Sequence, residues 1–156
     1  MSKLSKHVSL KEGVYSTTAK RLGLENNPTS EHLVNMETIC REIFEPLREA
    51  AGGPIKINSF YRGKELNTAI GGSKSSQHCK GQAMDIDDTY SCTTNADMYK
   101  HIKQNLSFDQ IIWEFGDDEN PDWVHVSYVS EEANRHQCLK AYRSQGSRKT
   151  KYSILS

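Results

Sequence analysis

The chain is 156 residues long with a mass of 17.7 kDa, a common size for one domain with little room for a second. Lys plus Arg is 20 and Asp plus Glu is 20, so no net field attracts nucleic acid or a membrane surface, which argues against a generic DNA binder. An apolar fraction of 35% is low, yet the aromatics and the balanced charge argue against disorder and predict a small core under a large polar surface.

The first ten residues contain Lys3, Lys6 and His7 with no apolar stretch behind them, so no secretory signal is read, and no apolar run approaches a membrane span. The expectation is a soluble protein made in the cytoplasm. Cys40, Cys79, Cys92 and Cys138 form no C-x-x-C pair and are read as reduced core or loop thiols.

In chain order, residues 17–22 form a short helical candidate, followed by turn chemistry at Gly23 and Asn26-Asn27-Pro28. Leu33, Met36, Cys40, Ile43 and Leu47 then recur at steps of three and four, with Ile39 and Phe44 widening the stripe, which predicts a long amphipathic helix. Pro46 lies inside it and predicts a kink or break, and Gly52-Gly53-Pro54 ends it. Residues 55–60 alternate as a strand, residues 63–70 read as a short helix closed by Gly71-Gly72, and residues 83–87 read as a second strand. Residues 94–106 are helical by period, and residues 110–115 and 123–128 are further strand candidates. Helices first, then strands with one helix between, predict an α+β fold: a small central antiparallel sheet with helices packed on it.

Two charge-biased segments stand out. From Arg135 onward there are six basic residues (Arg135, Lys140, Arg143, Arg148, Lys149 and Lys151) and no acid, while Glu114, Asp117, Asp118, Glu119 and Asp122 crowd one loop. Both are read as solvated, with attraction to an anionic polymer or lipid surface the sharper alternative for the basic tail.

The informative stretch runs from Ser75 to Asp85 and is followed by Asp122-Trp123-Val124-His125. His78, Asp85 and His125 can supply two imidazole nitrogens and one carboxylate oxygen to a zinc ion with a fourth position left for water. Gly81 permits a turn before the strand that carries Asp85, and His125 lies on another strand, so the ligands can converge from neighbouring strands. Spacing by itself is a weak signal, because an isolated His is more often a satisfied polar or surface residue.

The motifs themselves carry more. The pattern S-x-H-x-x-G-x-A-x-D is met by Ser76, His78, Gly81, Ala83 and Asp85, and W-x-H-V-S by Trp123, His125, Val126 and Ser127. Upstream, Ser59, Tyr61 and Arg62 meet Ser-x-Tyr-Arg at a strand end, and Leu66-Asn67 with Gly71-Gly72-Ser73 continue the likeness. In these motifs the chain resembles the zinc D-Ala-D-Ala carboxypeptidases and L-alanyl-D-glutamate endopeptidases that cut peptidoglycan stem peptides, phage endolysins among them, over residues 10–128.

The resemblance implies a hedgehog/DD-peptidase-like fold and one single zinc peptidase domain over residues 1–156, with a basic tail from about 135. It implies one zinc ion held by His78, Asp85 and His125, with Asp122, three before the last ligand, as general base, since a carboxylate beside metal-bound water can take its proton and pass it to the leaving amine. Some relatives carry Glu at that position. Glu114 is the rival base, with a structural or substrate-touching role as its bland reading. Arg62 is assigned a substrate carboxylate or the oxyanion of the tetrahedral intermediate, against an ordinary surface salt bridge. Ser76 is assigned substrate binding or an outer hydrogen bond, against service to the local turn alone, and Gln82 carries the same alternatives.

Cys79 is read as a buried thiol, Trp113 and Trp123 as core or cleft wall, and the acidic segments as holding no second metal. The implied protein is a monomeric zinc hydrolase of peptidoglycan peptides, a D,D-carboxypeptidase or endopeptidase acting in phage or prophage lysis or wall remodelling after release through holin pores. It takes no nucleic acid and spans no membrane. The alternative is a non-enzymatic zinc-containing binding module, or a virion structural module, of the same fold.

Overall fold

Alternation with period two organises the centre of the molecule. The computed structural model describes residues 2–155. Its sheet is built from β3 (Lys56–Ser59), β4 (Ala83–Asp87), β5 (Gln110–Glu114), β6 (Trp123–Ser127), β7 (Gln137–Arg143) and β8 (Thr150–Ile154), in the spatial order β3-β4-β6-β5-β7-β8. All neighbours are antiparallel except β5 and β7, which run parallel. On one face Met84, Ile86, Ile111, Trp113, Val124 and Val126 are buried. The residues between them leave by the other face, because successive side chains on a strand point to opposite sides.

The buried face is covered by helices. A short hairpin of β1 (Lys3–Ser5) and β2 (Val8–Ser9) leads into α1 (Leu10–Val14) and α2 (Thr17–Leu22), which are N-capped by Ser9 and Ser16. The long helix predicted over the stripe runs as α3 (Ser30–Ile39), a π-helical segment (Cys40–Phe44) and α4 (Glu45–Ala51). Met36, Ile39, Ile43, Phe44 and Leu47 lie in its core seam. Pro46 neither breaks nor ends the run. The π turn widens the helix just ahead of it, with Glu45 N donating to Cys40 O, and Pro46 falls in the first turn of α4 where its missing N–H costs least. Gly52 closes the run with φ of 75°. Glu45 also accepts from Ser5 Oγ at 2.6 Å and from His7 N at 2.9 Å, which fastens the β1–β2 hairpin to this helix.

α5 (Lys64–Ala69) follows β3, and α6 (Asn95–Asn105), N-capped by Thr94, crosses from β4 to β5 over the apolar face. The α+β expectation holds, with a larger sheet than predicted. The tail beyond 135 corrects the sequence reading, because it is not a solvated extension. It supplies β7 and β8, and Cys138 and Ala141 are buried in it. Most of its charges are exposed, on the outer part of β7, in the β7–β8 turn and on β8.

The hinge between β5 and β7 is a buried charge. Asp109, 1% exposed, accepts Nη2 of Arg135 at 2.8 Å on one oxygen and Nε and N of Arg135, each at 3.0 Å, on the other. Gln77 Nε2 at 3.1 Å and Ser127 Oγ at 3.3 Å complete its shell. Burial pushes the carboxyl up, but these donors outweigh it and hold its pKa down at about 2. A carboxylate depressed from 3.8 to about 2 stabilises the fold above pH ~4 and loses that contribution as pH falls between those values. The stability gap between wild type and Asp109→Asn, read by urea denaturation, will shrink from pH 5 to pH 2.

Gly81 takes φ of 75° at the end of the turn before β4, and a Cβ there would lie 2.6 Å from His32 O and 2.7 Å from Met36 Cγ. Gly81→Ala will destabilise the protein by about 2 kcal/mol or more in chemical denaturation, since it combines left-handed strain with backbone overlap against α3.

Candidate metal centre and its cleft

Asp85 and His125 are paired residues on neighbouring antiparallel strands, so their side chains leave the open face of the sheet side by side. His78 arrives from a 3-10 turn (Gln77–Lys80) whose N-cap is Ser76, with the Ser76 hydroxyl accepting from His78 N at 3.3 Å. Arg62 N donates to His78 O at 3.1 Å and fastens the turn to the segment after β3. His78 Nδ1 donates to the carbonyl of Phe60 at 2.7 Å, which leaves Nε2 as the ring's acceptor.

The three side chains meet at one point. His78 Nε2 lies 3.4 Å from Asp85 Oδ2, His125 Nδ1 lies 3.0 Å from Asp85 Oδ1, and one ligand atom from each residue falls within 4.8 Å of the others. The imidazoles stand 5.2 Å apart, near perpendicular. His78 Nε2 is buried and makes no hydrogen bond. An orphaned acceptor in such a place is costly unless something else satisfies it, and a cation does so.

Charge agrees with that donor set. Burial drives the His78 imidazole below its ordinary pKa and keeps it neutral, the form a metal requires, although Asp85 pulls the other way. Burial raises the Asp85 carboxyl, but His78 and His125 outweigh it and hold the group well below the usual carboxylate range. Two imidazole nitrogens and a carboxylate oxygen form a ligand set of catalytic zinc, so the residues present fit that ion.

The cluster lies in a cleft of about 640 Å³. Arg62 and Ser76 line it beside His78, Asp85 and His125, and Arg62 Nε is buried without a partner. Burial lowers the Arg62 pKa while Asp85 opposes, and the guanidinium stays a charged donor on the cleft wall. Asp122 is not among the lining residues. Its side chain is exposed; its N–H donates to Glu114 O at 2.8 Å and its carbonyl accepts from Asn95 Nδ2 at 3.2 Å. Asp122 lies in the bend just before β6, so the alternation that puts His125 on the open face does not extend to it.

Glu114 does line the cleft. It pairs with Trp123 across β5 and β6 and shares the open face with His125. Burial and the nearby Asp85 push its carboxyl up, His125 draws it down, and its pKa settles at about 7. Sequence reasoning passed over Gln110 and Ile112, although the period-two alternation that places Glu114 on this face places them there too. Arg135 and Tyr152 carried no local signal, because Asp109 holds the first at the cleft and the β7–β8 pairing brings the second there.

Of the other expectations, Trp113 is core and Trp123 is cleft wall. Cys79 is half-buried rather than buried, since it sits on a 3-10 turn and not on extended chain. All four cysteines are free thiols, with Cys40 and Cys138 in the core and Cys92 exposed. No described helix is long and apolar enough to cross a membrane.

The peptidase M15 family model matches residues 6–127, which takes in every ligand and ends with β6. The chain belongs to the peptidase M15 family. This is the family of the zinc D-Ala-D-Ala carboxypeptidases, and His78, Asp85 and His125 form a group that could hold a metal ion, consistent with the zinc of M15 peptidases. No curated protein matches the chain significantly. Membership implies a peptide substrate, and it leaves β7 and β8 outside the matched residues.

Metal-stripped protein will take up one zinc per chain in calorimetric titration, and zinc will raise its melting temperature by mass action. His78→Ala and Asp85→Asn will each abolish that rise.

Proposed function

We propose that this M15 protein is a zinc-dependent hydrolase of peptidoglycan stem peptides, a D,D-carboxypeptidase or endopeptidase. The observation that supports it best is the meeting of His78, Asp85 and His125 in one cleft with the unpartnered guanidinium of Arg62. The zinc these residues would hold supplies Lewis-acid polarisation of the scissile carbonyl and a more acidic water.

The chain's own groups do the rest. Arg62, on the cleft wall, receives a substrate carboxylate through its guanidinium. Glu114, on the ligand face with a pKa of about 7, takes the proton of the attacking water and returns it to the leaving amine, a task suited to a carboxyl poised near neutrality. This assigns the base to Glu114 and leaves Asp122 as the exposed first step of the turn into β6. Ser76 holds the His78 turn from the cleft side. The setting we infer is phage or prophage lysis or wall remodelling, with a cytoplasmic product that reaches the wall after release.

Digestion of purified peptidoglycan and muropeptides by the zinc-loaded protein, followed by mass spectrometry with a metal-stripped control, tests the reading. Free D-Ala will mark a carboxypeptidase and freed stem peptides or cut cross-links an endopeptidase; no metal-dependent product from either substrate overturns it. Glu114→Gln will keep zinc and lose about 10²- to 10⁴-fold in kcat. Asp122→Asn will stay within about threefold of wild type, whereas a large loss there with full activity in Glu114→Gln returns the base to Asp122.

A further inference from the structure

The M15 match ends at residue 127, yet the same sheet continues through β7 and β8, and two residues of that continuation face the cleft. Arg135 precedes β7, and Tyr152 lies on β8. Strand order fixes where the first of them stands. Arg62 follows β3 at one flank of the sheet and Arg135 enters β7 at the other, while β4, β6 and β5 between them carry Asp85, His125 and Glu114.

Arg135 is held in place. Its Nε donates to one oxygen of Asp109 at 3.0 Å and its Nη2 to the other at 2.8 Å, a two-point clamp from a carboxylate that is itself buried. A guanidinium has five N–H donors in a rigid fork. The clamp uses two of them, and the side chain remains 55% exposed, so the outer edge is presented in a known direction. Asp109 also accepts from Gln77, the neighbour of His78, so the clamp registers Arg135 against the turn that carries a metal ligand.

Resting on the peptidase reading above, we propose that Arg135, aimed by Asp109, is a specificity residue that binds a second substrate carboxylate, distinct from the one at Arg62. The preferred substrate is then a peptide with two carboxylates, one on each side of the scissile bond. Asp109 is a positioning residue for this subsite. Tyr152 bounds the other end of the β7–β8 wall: in the row Trp123, Glu114, Ala141, Tyr152 the buried Ala141 leaves no bulk between Glu114 and the tyrosine.

The test uses two synthetic stem peptides that share a free C-terminal carboxylate and differ in one internal carboxylate, free in one and amidated in the other. Calorimetry gives Kd for each with metal-free protein, and product release gives kcat/KM with zinc-loaded protein. Wild type will favour the free acid by about tenfold or more, as expected for a charge-assisted hydrogen bond. Arg135→Gln will bring the acid-to-amide ratio close to one. Asp109→Asn will lower the ratio too, which a purely structural loss would not do, since it would weaken both peptides alike. Arg135→Lys, which retains a charge for Asp109, serves if thermal melts show that Arg135→Gln does not fold; it will keep a smaller preference. A wild-type ratio near one, or a ratio unchanged in the Arg135 variant that folds, overturns the proposal. If zinc-loaded protein cleaves neither peptide, the hydrolase reading falls, and the Kd ratios still decide whether Arg135 reads the carboxylate.

Discussion

The two-sidedness of extended backbone is the constraint on which this molecule depends. On β4, β5 and β6 every second residue must face the helices, and those positions hold Met84, Ile86, Ile111, Trp113, Val124 and Val126. The residues between them have no choice but to project from the opposite face, where Asp85, His125 and Glu114 meet. The same burial that holds the sheet to its helices therefore sets the metal ligands, since a register slip of one residue would send the ligands into the core.

The third residue of the group does not come from the sheet. His78 reaches the cluster from a tight turn, and its direction is set by local bonds: the Ser76 cap, the Phe60 carbonyl on Nδ1 and the Arg62 amide on its own carbonyl. Gly81 makes this possible, for it lets the chain reverse against α3 where a side chain would strike His32 O. Ligand chemistry and turn chemistry are thus one requirement in this short stretch.

Buried charge is the second organising device. Asp109 has lost its water but keeps donors from Arg135, Gln77 and Ser127, which are contributed by three separate segments of the chain. Removing any one leaves a buried carboxylate short of a partner, and such sites lose more than the bond itself is worth. The β5–β7 pairing, the turn before His78 and the cleft rim are consequently coupled through one carboxyl group.

How much of this was legible in sequence follows from the range of each interaction. Helix periodicity over residues 33–47, strand alternation at residues 83–87, 110–115 and 123–128, and the motif residues Ser76, His78, Asp85 and His125 are local patterns, and local patterns survive without the fold. The β1–β2 hairpin was missed because it is two short strands whose partner is a helix through Glu45. Pro46 signals a disturbance, but only packing decides that a π turn absorbs it. Asp122 and Glu114 are both acidic and both precede His125 in the chain; strand parity puts Glu114 on the cleft face of β5, whereas Asp122 falls in the bend before β6 and is not among the cleft residues. Arg135 was one basic residue among six until Asp109 took hold of it. Sequence by itself determined the ligand types and the two-faced strands, because both are written in neighbouring residues. Tertiary structure added that Glu114 and not Asp122 lines the cleft and that Arg135 joins Arg62 there, because which residues share a cleft is a relation between distant segments.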